Sequence, residues 1–189
     1  MAFRNLAAGA RPRGVPREVV AAEIYVRPAR QEDSEELHRL YREMTYEQPP
    51  GLQVPPQDWG LAKFRHRIAQ YAESPYSTLL LAFIADQAAG FLEFQQYDGD
   101  QSHGGRFTTY VSPARRRRGV AEALTRELLR WVEEETPLIR VQAEALATNQ
   151  ASLAFCEKLG FEPEGVRRKA VRVGDGYVDS MFLSKLFER

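Results

Sequence analysis

Residues 107 to 124 read Phe107-Thr-Thr-Tyr-Val-Ser-Pro-Ala-Arg-Arg-Arg-Arg-Gly-Val-Ala-Glu-Ala-Leu124. The β-branched and aromatic residues from Phe107 to Val111 predict a strand, and Pro113 stops it. Val120, Leu124, Leu128 and the Trp131/Val132 pair then recur at helical spacing, which predicts an amphipathic helix. Between the two lie four consecutive arginines and Gly119. A strand that feeds a helix through a basic, glycine-containing turn makes a place for an anion. The first amides of the helix have no acceptor within it and point outward, where the helix dipole adds partial positive charge. Gly119 lacks a Cβ, so a ligand can come close to the backbone. The stretch predicts a pyrophosphate cradle.

Upstream, Ser77 to Ala85 is a nearly continuous apolar run with the length of a buried strand. Asp86 to Gly90 is expected to turn the chain, Phe91 to Tyr97 to return as a strand, and Asp98 to Gly105 to form a polar loop. Leu61, Phe64, Ile68 and Tyr71 outline one helix; Leu37, Leu40, Tyr41 and Met44 outline an earlier one, expected to start on an Asp33/Glu36 capping box. The connection Thr45 to Gly60 holds four prolines with Tyr46 and Trp59, and Glu23 to Arg27 suits a first strand. Downstream, Leu138 to Ala147 predicts a strand. Asn149 is placed to cap a short helix that ends at Gly160 in a left-handed conformation. Val166 to Val173 and Tyr177 to Leu186 flank Gly174-Asp175-Gly176 and predict a hairpin. Residues 1–22 show little periodicity and read as a mobile or docking extension to one domain over 23–189. The mixed order of strands and helices predicts an α/β fold with a mixed central sheet covered by helices.

Composition narrows the function. Lys plus Arg and Asp plus Glu each number 26, so no global field draws the chain of 189 residues onto nucleic acid. No apolar run approaches the roughly 20 residues that span a bilayer. Cys156 is the single cysteine, which excludes an intrachain disulfide and fits a reducing compartment. His38, His66 and His103 lie far apart and show no metal-ligand spacing. The expectation is a cytoplasmic protein with no metal, no membrane and no nucleic-acid partner. The arginine run is short, lacks aromatic interleaving, and matches neither a Gly-x-Gly-x-x-Gly nor a Gly-Lys-Ser/Thr phosphate loop.

Arg116-Arg-Arg-Gly119-Val-Ala121, preceded by Val111-x-Pro113, resembles the acetyl-CoA-binding signature of the GNAT acetyltransferase superfamily. Asn149-Gln-Ala-Ser152-Leu-Ala-Phe155-Cys156-Glu-Lys-Leu-Gly160-Phe161 is similar to that superfamily's second block, at the expected distance from the first. The resemblance extends from about Glu23 to the end of the chain. It implies a sheet of six to seven strands, splayed where acetyl-CoA binds. It implies pairing of the Val111 backbone with the pantetheine, and backbone amides from Arg116, Arg117 and Arg118 through Gly119, Val120 and Ala121 around the pyrophosphate. The Arg116 and Arg118 side chains are then the ones nearest phosphate. Asn149, Ser152 and Phe155 fall beside the pantetheine.

The implied reaction is direct acetyl transfer to a primary amine of a small molecule or protein, by a monomer or a homodimer. Such a reaction needs a base for the ammonium proton and donors for the oxyanion. The superfamily often has a glutamate just before the Val-x-Pro turn, but Arg106, Phe107, Thr108 and Thr109 stand there. Glu93, between Leu92 and Phe94, is the nearest replacement, either as a base of raised pKa or as the partner of an arginine. His103 is a second candidate. The tyrosine that often serves as acid is Cys156 here, which is either a proton donor or a small buried hydrophobe. Tyr46, Trp59, Tyr97 and Tyr177 are candidate linings for the acceptor. With both usual catalytic positions altered, a non-catalytic acyl-CoA-binding module is the competing expectation.

Overall fold

A computed structural model describes residues 23–52 and 59–188. The expected extension over 1–22 and part of the proline-rich connection lie outside the described residues. Seven strands form one sheet in the order β1-β2-β3-β4-β5-β7-β6. They are β1 (Ile24–Pro28), β2 (Thr78–Ile84), β3 (Gln87–Gln96), β4 (Gly104–Val111), β5 (Arg140–Leu146), β6 (Glu162–Val173) and β7 (Gly176–Leu186). The helices are α1 (Ser34–Glu47), α2 (Leu61–Glu73), α3 (Val120–Glu135) and α4 (Gln150–Lys158).

The helices cover opposite faces. Leu79 and Leu81 of β2 join Leu37, Leu40, Met44, Phe64 and Ile68 of α1 and α2 in one core. Leu80, Ala82 and Ile84 join Leu124, Leu128 and Val132 of α3 and Cys156 of α4 in the other. Because β2 is buried on both faces, its sequence reads as an unbroken apolar run. No helix among the described residues is long and apolar enough to cross a membrane.

Two local expectations are corrected. The chain turns at Ala85 and Asp86, both with positive φ (48° and 63°), and β3 begins at Gln87 rather than Phe91. Gly90 lies inside β3, where a Cβ would sit 2.5 Å from the Tyr110 carbonyl oxygen, so this glycine serves close strand approach and not a turn. The Asp33/Glu36 capping box does not form. Asp33 instead takes a bidentate pair from Arg27 (2.6 and 2.7 Å) and the Arg30 amide (2.7 Å), and Glu36 accepts from the Ala88 amide at 2.9 Å. A buried carboxylate is better served by a guanidinium on β1 than by one helix amide.

The sheet divides in the middle. β4 and β5 are parallel and pair only at Gly104–Arg140, Gly105–Val141 and Arg106–Gln142. Beyond Arg106, β4 stays with β3 while β5 stays with β7, so a gap opens between them. Backbone groups alternate in direction along a strand. The Gly104 carbonyl and the Ser112 amide both point at β3. The N–H and C=O groups of Phe107, Thr109 and Val111 therefore point into the gap.

Candidate active site

A cleft of about 1100 Å³ runs through this gap. Its first wall is the turn between β4 and α3. Pro113–Arg115 form one tight turn, Arg117 has φ 58°, Gly119 has φ 85°, and α3 starts at Val120 with no side chain capping it. The first amides of α3 thus remain unsatisfied at the cleft, which Gly119, Ala121 and Glu122 line. A Cβ on Gly119 would meet only Ile24 Cδ1, at 3.7 Å. Its backbone angle demands glycine, and the space beside it is open.

The sequence-predicted residues divide here. Val111, Arg116, Arg117, Gly119, Ala121, Asn149, Ser152, Phe155, Cys156 and Glu93 all line the cleft. Arg118 is not among the lining residues, and Val120 turns its side chain into the core at 2 % exposure. Arg116 is held on the other side of the turn from the one expected. It donates to Glu47 Oε2 (2.5 Å) and to the Val111 carbonyl (3.2 Å), and its guanidinium lies over the Tyr110 ring at 5.9 Å. Glu47 also accepts from the Tyr110 hydroxyl, and the Arg116 pairing holds its carboxyl below the usual range. Asn149 caps α4, accepting from the Ser152 amide at 3.1 Å.

Cys156 sits in the α3/α4 core at 4 % exposure, and burial pushes its thiol up to about 11. A thiol so held is almost wholly protonated at neutral pH and a poor nucleophile.

The opposite wall is built from the α1/α2 side of the sheet. Glu93 does not sit there as an isolated carboxylate among apolar neighbours. Arg67 of α2 holds both its oxygens, with the Nη2 contact at 2.6 Å. The Arg67 guanidinium lies within 5.9 Å of the Tyr41, Trp59 and Tyr71 ring centres. Both oxygens of Glu93 are thus occupied by Arg67, and neither is left free to meet an incoming group. Opposite, on β5, Glu144 Oε1 accepts from Ser180 Oγ and from Arg167 Nη1 (3.0 Å), while Oε2 makes no hydrogen bond among the described residues. Trp59 and Tyr97 line the cleft as expected, whereas Tyr46 is 95 % exposed and Tyr177 61 %, both outside it. His103 is exposed outside the cleft, its ring beside the Asp100 carbonyl. Among the described residues no group of three metal-ligating side chains occurs.

Sequence reasoning missed Glu47, Arg67 and Glu144. Glu144 had a signal: it is the lone acid of the strand ahead of Asn149. The pairings of Arg67 and Glu47 cross elements distant in sequence and left none.

Residues 34–161 match the profile of the acetyltransferase (GNAT) family. The L-amino acid N-acetyltransferase AaaT of Escherichia coli K12 is 29% identical over 172 residues, covering 87% of this chain and 99% of that protein. A GNAT-family acetyltransferase from Streptococcus pneumoniae superposes with TM-score 0.80 at 22% identity, covering 87% of this chain and all of that one (100%). YncA from Salmonella typhimurium, a putative acetyltransferase solved with acetyl-CoA, superposes with TM-score 0.75 at 16% identity, covering 88% and 95% of the two chains.

Proposed function

The chain belongs to the GNAT acetyltransferase family, and from that premise we propose that it moves the acetyl group of acetyl-CoA directly onto a primary amine held in the same cleft. The observation that carries this reading is the parted β4/β5 gap, which has uncapped helix amides at one end and a half-free carboxylate, Glu144, on its far wall.

The residues present fit acetyl-CoA. The open side of Gly119 and the free amides at the start of α3 suit a pyrophosphate. Phe107, Thr109 and Val111 offer backbone groups to an extended amide-bearing arm, which would lie in the gap as an added strand. Asn149, Ser152 and Phe155 would border that arm, and Arg117 would add charge beside the phosphates. Acetyl-CoA supplies an acyl carbon activated as a thioester.

The remaining steps fall to the protein. Glu144 accepts the proton of the bound ammonium through Oε2, while Ser180 and Arg167 fix the carboxylate by Oε1. Backbone N–H groups in the gap stabilise the oxyanion as the amine adds. As the intermediate collapses, its nitrogen gives its extra proton to solvent in the open cleft, and the departing thiolate takes one from solvent. Cys156 fills the core behind it and takes no covalent part. Glu93 and Arg67 shape the acceptor wall.

Glu144→Gln tests this assignment. General-base catalysis contributes about 10²–10⁴-fold, so kcat/KM for the amine should fall by about 100-fold or more, with the acetyl-CoA KM unchanged and the acidic limb of the pH–rate profile lost. An unchanged profile would remove Glu144 from the role.

A further inference from the structure

The side chains of the acceptor wall do not balance in charge. On the α1/α2 face of the sheet, two carboxylates line the cleft, and each meets an arginine. Glu93 is held through both oxygens by Arg67, and Glu144 through Oε1 alone by Arg167. Arg106 is the cation of that wall left over. It lines the cleft yet makes no hydrogen bond or ion pair among the described residues.

Its place in the fold is specific. Arg106 pairs with Gln142 at the last rung before β4 and β5 part, and with Gln95 on β3. It shares a sheet face with Thr108 and Tyr110, because side chains alternate along a strand. Arg67 is close by, one pleat along β3 through its partner Glu93. The Tyr71 phenol registers both cations: burial raises its pKa, and Glu93 raises it further, while Arg67 and Arg106 pull it down. Arg67 spends Nε and Nη2 on Glu93, and its Nη1 makes no hydrogen bond among the described residues, so one edge of that guanidinium is also open.

We infer that Arg106, with the open edge of Arg67, receives a carboxylate carried by the acceptor, so that the acceptor is a free α-amino acid and not a peptide N-terminus or a polyamine. The inference rests on the acetyl-transfer reading above and names its substrate class. A planar guanidinium with unspent donors is matched to a carboxylate, which it binds through paired hydrogen bonds. Glu144 lies on the adjacent strand, two residues beyond the Gln142 that pairs with Arg106. A cation and an anion on neighbouring strands at one pleat's offset suit a zwitterion whose ammonium and carboxylate share one carbon. The carboxylate goes to Arg106 and the ammonium to Glu144. A peptide N-terminus has no carboxylate at that place and would leave Arg106 unpaired. A polyamine would set a second cation against it. Tyr41, Trp59, Tyr71 and Phe91 wall the same space and favour an apolar or aromatic side chain.

The test compares L-phenylalanine and L-leucine with their amides, L-phenylalaninamide and L-leucinamide, in the full-length chain. With acetyl-CoA, the free acids should be used about 100-fold better in kcat/KM, from the 10⁴–10⁵ range seen when a built polar site is left unpaired, discounted for solvent access. Arg106→Gln should erase that preference by raising KM for the acids with kcat little changed and the amides unaffected. Arg106→Lys should restore part of it. Calorimetry of the same four compounds in the presence of coenzyme A supplies a readout without turnover, and Arg106→Gln should weaken only the two acids, by about tenfold or more. Acids and amides used or bound alike, or an Arg106→Gln loss shared by both, overturns the inference. Turnover of amides and peptides without acid preference would do so while sparing the acetyl-transfer reading. Acid-selective binding with no transfer to any amine would do the reverse.

Discussion

At the scale of single residues, the site is defined by which carboxylate stays available. Glu93 looked suitable in sequence because its neighbours Leu92 and Phe94 are apolar, and both are indeed fully buried. What the sequence could not display is Arg67, which arrives from a helix 26 positions away and occupies both oxygens. Removing one member of such a pair leaves a charge without a partner, at a cost of about 3 kcal/mol where the pair is buried, so Glu93 reads as a determinant of the acceptor wall. Cys156 is the other residue whose chemistry depends on surroundings. Its thiol lies in a core with Leu128, Leu159 and Phe161, and burial alone raises its pKa to about 11. Cys156→Ala should therefore keep turnover within about threefold, an effect of under 1 kcal/mol, and cost about 1 kcal/mol of stability. Steady-state kinetics and urea unfolding read the two effects separately. A loss of most turnover with acetyl-CoA affinity retained would return the cysteine to the reaction.

At the scale of elements, the turn and helix around Arg116–Leu124 were legible because local chemistry dictates them: a Pro stop, a glycine at positive φ and an amphipathic stripe all lie within one stretch. The Asn149 cap and the Gly174–Asp175 hairpin were legible for the same reason. Strand starts were not. Gly90, Gly104 and Gly105 look like turn residues but lie within β3 and β4. Their reason for being glycine is backbone approach from a neighbouring strand, which is a tertiary fact. Asp33 likewise looked like a helix cap and proved to bind Arg27, joining β1 to the start of α1. Burial raises its pKa, but the Arg27 hydrogen bonds, the Arg30 amide and their charges outweigh this and leave it below its ordinary value. A carboxylate with a depressed folded-state pKa stabilises the fold above its unfolded value of about 3.9, and that contribution is lost as pH falls through the folded-state value. Asp33→Asn should thus destabilise the protein by about 2 kcal/mol at pH 7. The gap to wild type should shrink below about pH 4, as read by urea unfolding at pH 7 and pH 3. A gap independent of pH would mean that the Arg27 pair does not carry the effect.

At the scale of the molecule, seven strands and two helical layers serve one opening, made where β4 and β5 pair for three residues and then separate. The turn before α3 and the α1/α2 wall of the cleft belong to different cores, and Arg116 crosses between them to reach Glu47 at the end of α1. The β4/α3 turn was readable from sequence because its residues are contiguous. The opposite wall gathers α1, α2, β3, β5, β6 and β7, and no local pattern announces that set. On the function proposed above, this opening performs transfer and is not merely a place where an acyl-CoA rests. The most direct measurement incubates the protein with acetyl-CoA labelled in the acetyl group and a panel of primary amines, following free thiol and the mass of each amine together. Labelled N-acetyl product should form one for one with coenzyme A, whereas saturable acetyl-CoA binding with no label reaching any amine would rule out transfer.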